Sequence, residues 1–414
     1  MKKNISAPFC LLCLLSLPLL FSSCLKDDCR HTYKITVPVY TKLSALRASL
    51  QSKAPQSINS TGKLYIAGNR IYLNEPGKGI HVIDNSHPDH PVQTAFINIP
   101  GNVDMYLRGN ILYADMYCDL AAIDVSNPSG ISVKKFLTKI FPDKAAYGTS
   151  TNPDSVNVIT NWITKDTMVS CTGNGGVYPV GGGLAMSNTG TSLTKAVSGA
   201  AGSMARFAAV NDYMYTVSTS ILNVININEA GNPLFVQNKS IGWNIETIFP
   251  YNNKLYLGAG TSMSVYDLQN PVDPQQLSWT GHWCSGDPVV ADDNYAYVTL
   301  HAANICNSVV NQLEIYNLNT SSQSPTLVKT YPLTNPQGLS KDGNLLFICD
   351  GKDGLKIFDA STVTGLKMIK QFSGMETYDV IAYNGIAYLV AKDGLYQYDY
   401  SNTGDIKLLS KLTK

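Results

Sequence analysis

The chain has 414 residues, 44% of them apolar, which supplies a real core and excludes wholesale disorder. Lys and Arg total 31 against 30 Asp and Glu, so there is no global electrostatic footprint for nucleic acid. Only 15% of residues are charged while Gly numbers 32, Tyr 24 and Pro 20, the balance of a strand-and-turn protein rather than a helical bundle.

Met1-Lys2-Lys3 is a short basic start, followed by an apolar run from Ile5 to Leu20 that is broken by Pro8, Ser16 and Pro18. A membrane-spanning helix needs about 20 uninterrupted apolar residues, so this run reads as a secretory signal. Leu20-Phe21-Ser22-Ser23-Cys24 resembles the lipobox of bacterial lipoproteins, which are cut just before a Cys that takes up lipid. The resemblance implies a signal peptide over residues 1–23 and lipidation of Cys24; the competing reading is an ordinary signal with an incidental Cys24. Leu25-Lys26-Asp27-Asp28 looks like the acidic export tag of surface-displayed outer-membrane lipoproteins, or else is a solvated charged tether. The implied place is the outer membrane, facing outward, with the lipid as the sole membrane anchor. Residues 24–60 read as the lipid-anchored tether, with a possible short helix from Leu43 to Leu50.

Beyond residue 60 an internal repeat governs the chain. Seven segments share a turn, an apolar strand with a central aromatic, a short loop, a second apolar strand and a closing Asp or Asn. The aromatics are Tyr72, Tyr113, Tyr215, Tyr256, Tyr297, Phe347 and Tyr388, at spacings of 41, 102, 41, 41, 50 and 41. The closing residues are Asp84, Asp124, Asn226, Asp267, Asn317, Asp359 and Asp399. With flanking strands, each unit is four short strands in about 40 residues, one blade of a β-propeller. The expected fold is therefore all-β, a seven-bladed β-propeller of four-stranded blades over residues 61–414. The Asx column has a structural task, because such side chains bond the backbone two residues on and set a turn.

Three stretches carry a family resemblance: Gly79-Ile80-His81-Val82-Ile83-Asp84-Asn85-Ser86, Ala121-Ala122-Ile123-Asp124-Val125-Ser126-Asn127-Pro128 and Gly354-Leu355-Lys356-Ile357-Phe358-Asp359-Ala360-Ser361. They resemble the LVIVD repeats of bacterial propeller lipoproteins. The likeness runs from Lys63 to Leu412 and implies architecture, with no catalytic residue to carry over. Asn226 in place of Asp, and the polar Gln397 inside a strand, depart from the pattern.

The period exposes two insertions. One places 61 extra residues between blades two and three, about residues 140–200, with a predicted strand from Val156 to Trp162 and a Gly-rich stretch from Gly173 to Gly183. The other adds nine residues between Tyr297 and Asn317. Blade strands run up and down, so both insertions fall on one face, which is the expected working face. Cys284 and Cys306 share that face and are expected to form a disulfide, since export permits oxidation; a zinc site with His282 and His301 is the chemical alternative, with no standard spacing.

Nine or ten residues before each aromatic the inner strands begin with Lys63, Asp104, Arg206, Glu246, Asp287, Gln337 and Asp379, a ring around the axial channel. Such a ring lines a water-filled channel without further purpose, or forms a ligand site at its mouth. Glu75-Pro76-Gly77-Lys78-Gly79 is a turn rather than a phosphate loop, no Ser sits in a nucleophile elbow, and no cofactor is implied. The favoured function is a non-catalytic binding or scaffolding platform for a protein or glycan partner. The alternative is a glycan-active enzyme that uses carboxylates at the channel mouth.

Overall fold

The computed structural model describes residues 30–144, 152–170, 203–282, 285–286, 288–302, 310–321 and 324–414. Cys24, Asp287, Cys284, Cys306 and the Gly-rich stretch lie outside the described residues. The chain forms two compact units: Tyr40–Thr160 with Gly190–Lys414, and Met1–Val39 with Asn161–Thr189.

The described chain begins with β1 (Arg30–Lys42), α1 (Leu43–Ala48) and β2 (Gln51–Lys53). Blade one follows as β3 (Leu64–Ala67), β4 (Arg70–Glu75), β5 (Gly79–Asp84) and β6 (Val92–Asn98), and blade two as β7 (Met105–Arg108), β8 (Ile111–Met116), β9 (Asp119–Asp124) and β10 (Ser132–Leu137). After β11 (Asn157–Ser170), blade three is β12 (Phe207–Val210), β13 (Tyr213–Val217), β14 (Ile221–Asn226) and β15 (Leu234–Ser240). Blade four is β16 (Ile245–Tyr251), β17 (Lys254–Ala259), β18 (Ser262–Asp267) and β19 (Gln275–Gly281). Blade five has a split inner strand, β20 (Ser285–Gly286) and β21 (Val289–Ala291), then β22 (Tyr295–Ala302), β23 (Gln312–Asn317) and β24 (Thr326–Pro332). Blade six is β25 (Leu339–Asp342), β26 (Leu345–Cys349), β27 (Leu355–Asp359) and β28 (Lys367–Phe372). Blade seven is β29 (Thr377–Tyr383), β30 (Ile386–Ala391), β31 (Gly394–Asp399) and β32 (Lys407–Thr413).

In every blade the four blade strands pair antiparallel in chain order, as expected for a seven-bladed propeller, with β2 and β20 as additions to blades one and five. Both faces of the middle strands pack against neighbouring blades, so Ile80, His81, Val82 and Ile83 are all buried. His81 is tolerated there because its Nε2 lies 2.9 Å from Glu75 Oε2. The tight turn Asn384–Gly385 between β29 and β30 has φ of 49° and 77°, the left-handed pair that a short hairpin demands.

The Asx column does what its chemistry dictates. Asp84, Asp124, Asn226, Asp267, Asn317, Asp359 and Asp399 each accept the backbone N–H two residues on, at 2.8–3.2 Å. Asn226 departs from the repeat in charge but not in function, since its Oδ1 serves as well as a carboxylate. Gln397 departs for a reason that its own strand does not reveal. Its amide and that of Asn85 bond reciprocally at 2.7 and 3.0 Å, joining blade seven to blade one. Among the described residues no strand is exchanged across that seam, and side chains join it.

The segment read as tether contributes to the propeller. The helix expected from Leu43 to Leu50 spans Leu43–Ala48, and Leu43, Leu46 and Leu50 enter the largest apolar cluster. Arg47 Nε and Nη2 bind the buried Asp119 carboxylate at 2.8 and 2.5 Å, fixing α1 to blade two. β2 adds a fifth strand to blade one, pairing antiparallel with β6. The strand expected from Val156 to Trp162 is longer, as β11, and pairs with β1.

Candidate functional site

The inner strands of blades one, two and three begin just after Lys63, Asp104 and Arg206. These residues form one bonded cluster. Lys63, only 1% exposed, places its Nζ 2.6 Å from Asp104 Oδ2. The same oxygen accepts the backbone N–H of Arg206 at 2.7 Å, and Asp104 Oδ1 accepts that of Met105 at 2.7 Å. Burial pushes the Lys63 ammonium down to about 8, the Asp104 charge opposes that shift and the Arg206 charge adds to it.

A second carboxylate supports the first. Asp115 Oδ1 accepts the N–H groups of Val103 and Asp104 at 2.7 and 2.8 Å and the Asn102 amide at 2.9 Å. Its Oδ2 receives Lys144 Nζ at 2.7 Å. This bond fixes Lys144 beside Asp115 where the chain leaves blade two.

The returning stem bonds three further blades. Ala205 O accepts Ile248 N–H of blade four at 2.6 Å, and Ser203 O accepts Val289 N–H of blade five at 3.2 Å. Ser203 Oγ accepts Leu339 N–H of blade six at 2.8 Å. Three inner-strand edges thus bond a segment that lies across the axis, and Ser203, Met204 and Ala205 are buried.

Glu246 and Gln337 bond neighbours in their own segments. Glu246 takes a bond from Asn244 Nδ2 at 3.0 Å, and burial raises its carboxyl above the ordinary value against the pull of that bond and of the Arg206 charge. Gln337 is half-buried and bonds Asn335 at 3.4 Å. Asp379, 1% exposed, lies so close over Gly338 that a Cβ there would sit 2.1 Å from Oδ1. Of the positions read from sequence, Lys63, Asp104 and Arg206 come together; Asp115, Lys144 and Ser203 carried no sequence signal, because only the tertiary fold brings them there.

It also missed two tryptophans. Trp243, in the connection from blade three to blade four, is 80% exposed, the highest value for a large apolar side chain among the described residues. Gly242 and Asn244 on either side have φ of 123° and 55°, so a tight turn holds the indole outward. Trp279, near the end of β19, is 61% exposed. Antiparallel order places the blade-to-blade connections and the loops between second and third strands on one face. Trp243 therefore shares a face with both insertions. On the opposite face a cleft of about 330 Å³ is bordered by Asp292, Tyr297 and Lys341. Those groups already bond one another, Lys341 Nζ at 2.8 Å and Tyr297 Oη at 3.1 Å from Asp292 Oδ2.

Among the described residues no group of three or more His, Cys, Asp and Glu side chains is placed to hold a metal. β20 pairs with β22, Ser285 opposite Ala302 and Gly286 opposite His301.

No curated protein matches the chain. Among solved structures, BamB from Moraxella catarrhalis is similar with a TM-score of 0.50 and 8% identity, over 88% of this chain and 99% of that one. The periplasmic gluconolactonase PpgL of Pseudomonas aeruginosa has a TM-score of 0.50 and 12% identity, over 84% and 95%. Saccharomyces cerevisiae Sqt1 has a TM-score of 0.50 and 10% identity, over 87% of each chain. Likeness at such identities establishes the fold. The family model for the LVIVD repeat matches residues 103–137, which run from the start of β7 to the end of β10. Blade two is thus an LVIVD repeat, one of seven blades in an all-β propeller.

Proposed function

We propose that the protein is a lipid-anchored outer-membrane protein whose propeller serves as a non-catalytic platform for a protein partner, which docks on the insertion-bearing face. The observation that carries this reading is Trp243, held in solvent at 80% exposure by a turn with two left-handed residues. An indole so presented gives a large, rigid contact surface at low entropic cost. The state of the channel supports the same reading. Asp104 is engaged by Lys63, Arg206 N–H and Met105 N–H, which leaves it poorly suited to proton transfer.

One observation favours the second reading, a glycan-active enzyme. Glu246 has its carboxyl raised by burial, the direction that a general acid needs. Glu246→Gln separates the two: a hydrolase loses turnover on its glycan, whereas a platform keeps its partner.

The direct test is Trp243→Ala in the full-length protein, with partner capture from intact cells compared with the parent. Capture should fall while the thermal midpoint stays unchanged; unchanged capture refutes docking at this face. Deletion of residues 171–199 with a Gly-Ser bridge asks whether the insertion takes part. Cys24→Ala should release the protein from the membrane fraction, and retention there refutes the lipid anchor. The β20–β22 pairing brings together the segments leading to Cys284 and Cys306, which supports the disulfide. Non-reducing peptide mapping with both thiols free refutes it.

A further inference from the structure

The seven outermost strands differ in how they guard their open edges. An uncovered edge strand invites pairing with another chain, and lysine is the usual guard. β10 carries Lys134 and Lys135, β15 Lys239, β24 Lys329, β28 Lys367 and Lys370, and β32 Lys407 and Lys411. β6 and β19 carry no charged residue. β6 has no need of one, because β2 covers it as a fifth strand. β19, Gln-Gln-Leu-Ser-Trp-Thr-Gly, ends its sheet, and no described strand pairs with its outer side.

Register makes the comparison residue by residue. In blade one β2 pairs Lys53 with Phe96, Ser52 with Ile97 and Gln51 with Asn98. Phe96 lies opposite His81, two residues into β5, and Trp279 lies opposite Ser264, two residues into β18. The stretch in blade four that matches the covered stretch of β6 is therefore Trp279–Gly281. Under β2, Phe96 is 3% exposed; Trp279, with no described strand along its edge, is 61% exposed. At the same place β10 holds Phe136, half-buried beneath the Arg47 guanidinium, while β15 holds Asn238 and β32 Lys411. A Cβ at Gly281 would lie 2.8 Å from the Trp279 ring, so the glycine gives the indole its bed along the strand.

We infer that the outer edge of β19 receives an extended, uncharged segment of a partner protein as a fifth strand, paired along Trp279–Gly281 as β2 pairs with β6. Backbone hydrogen bonds supply the affinity, and an apolar side chain of the segment packs on Trp279. This surface is the rim of blade four, apart from the Trp243 turn, and the inference goes beyond the platform reading by naming the mode of binding.

The test places a photoreactive benzophenone side chain at Thr280 of the full-length protein in the cells that make it. The matching position in blade three, Lys239, receives the same side chain as the guarded-edge control. Crosslinks from position 280 should map to one extended, uncharged segment of another protein and be absent from position 239. Adding Gln276→Lys, the guard that the other edges carry, should lower the yield about tenfold at unchanged thermal midpoint. Trp279→Ala in the same background is the second variant and should lower it as well. No crosslink, equal crosslinking from position 239, or crosslinks only to lipid or to a second copy of this chain overturns the inference. Loss of capture on Trp243→Ala with no crosslink at position 280 would leave the platform reading standing and remove this one.

Discussion

Tyr113 donates its hydroxyl to the carbonyl of Ala230 at 2.7 Å, and Ala230 stands four residues after Asn226 in the next blade. Tyr215 does the same to Pro271 at 2.8 Å, four residues after Asp267. At other seams the equivalent carbonyl accepts from Ser52 on Pro128 at 2.6 Å, Tyr331 on Val363 at 2.7 Å and Ser410 on Pro88 at 2.6 Å. The Asx residue shapes the turn, and the turn offers a carbonyl that the preceding blade bonds. At two seams, blade two to three and blade three to four, the aromatic and Asx columns meet in one latch.

Tyr113→Phe and Tyr215→Phe should each cost about 1–2 kcal/mol, since each leaves a part-buried carbonyl without its donor. Urea unfolding read by tryptophan fluorescence measures this. A loss below a few tenths in both variants would show that the latches carry no load.

Closure of the ring is the next test. Asn85→Ala and Gln397→Ala each orphan a buried amide, and the double variant should be less destabilised than the sum of the two. A coupling of about 0.5–3 kcal/mol is expected from the double-mutant cycle. Strict additivity would mean that the pair does not close the blade-seven seam.

Removing Lys63 leaves the buried Asp104 with two backbone donors and without its bonded counter-charge. Lys63→Met should destabilise by about 3–5 kcal/mol, whereas Lys63→Met with Asp104→Leu should recover much of that loss. Thermal melts of the single and double variants settle it, and equal losses would refute pairing as the reason for the charges.

Alkaline pH should unfold the protein through its tyrosines. Burial raises the hydroxyls of Tyr113, Tyr215 and Tyr297 and pushes those of Tyr256 and Tyr398 up to about 12. The unfolded value is about 10. Raised folded values mean that the contribution is fully present below pH 10 and is lost as pH climbs from there to about 12. Lys63 works in the opposite sense, since its lowered folded value makes stability rise with pH above about 8, but one lysine stands against several tyrosines. The thermal midpoint should fall steeply above pH 10 together with the rise of tyrosinate absorbance. A flat midpoint through pH 11.5 would refute this, with pH 10 to about 12 as the window the tyrosines set.

The sequence by itself determined the blade count, the order of strands within a blade and the turn at each Asx residue. Those features depend on neighbours a few residues apart, and repetition seven times over separates them from chance. Gln397 reads in sequence as a polar fault in a strand, and only its distance to Asn85, 312 residues away, makes it a seam. That Lys63 pairs with Asp104 was not legible in sequence, because the two stand 41 residues apart in different blades and only the assembled ring sets their distance. Trp279 carries no signal of its own in sequence. Whether the edge beside it carries a fifth strand, as β6 does, is a property of the assembled sheet.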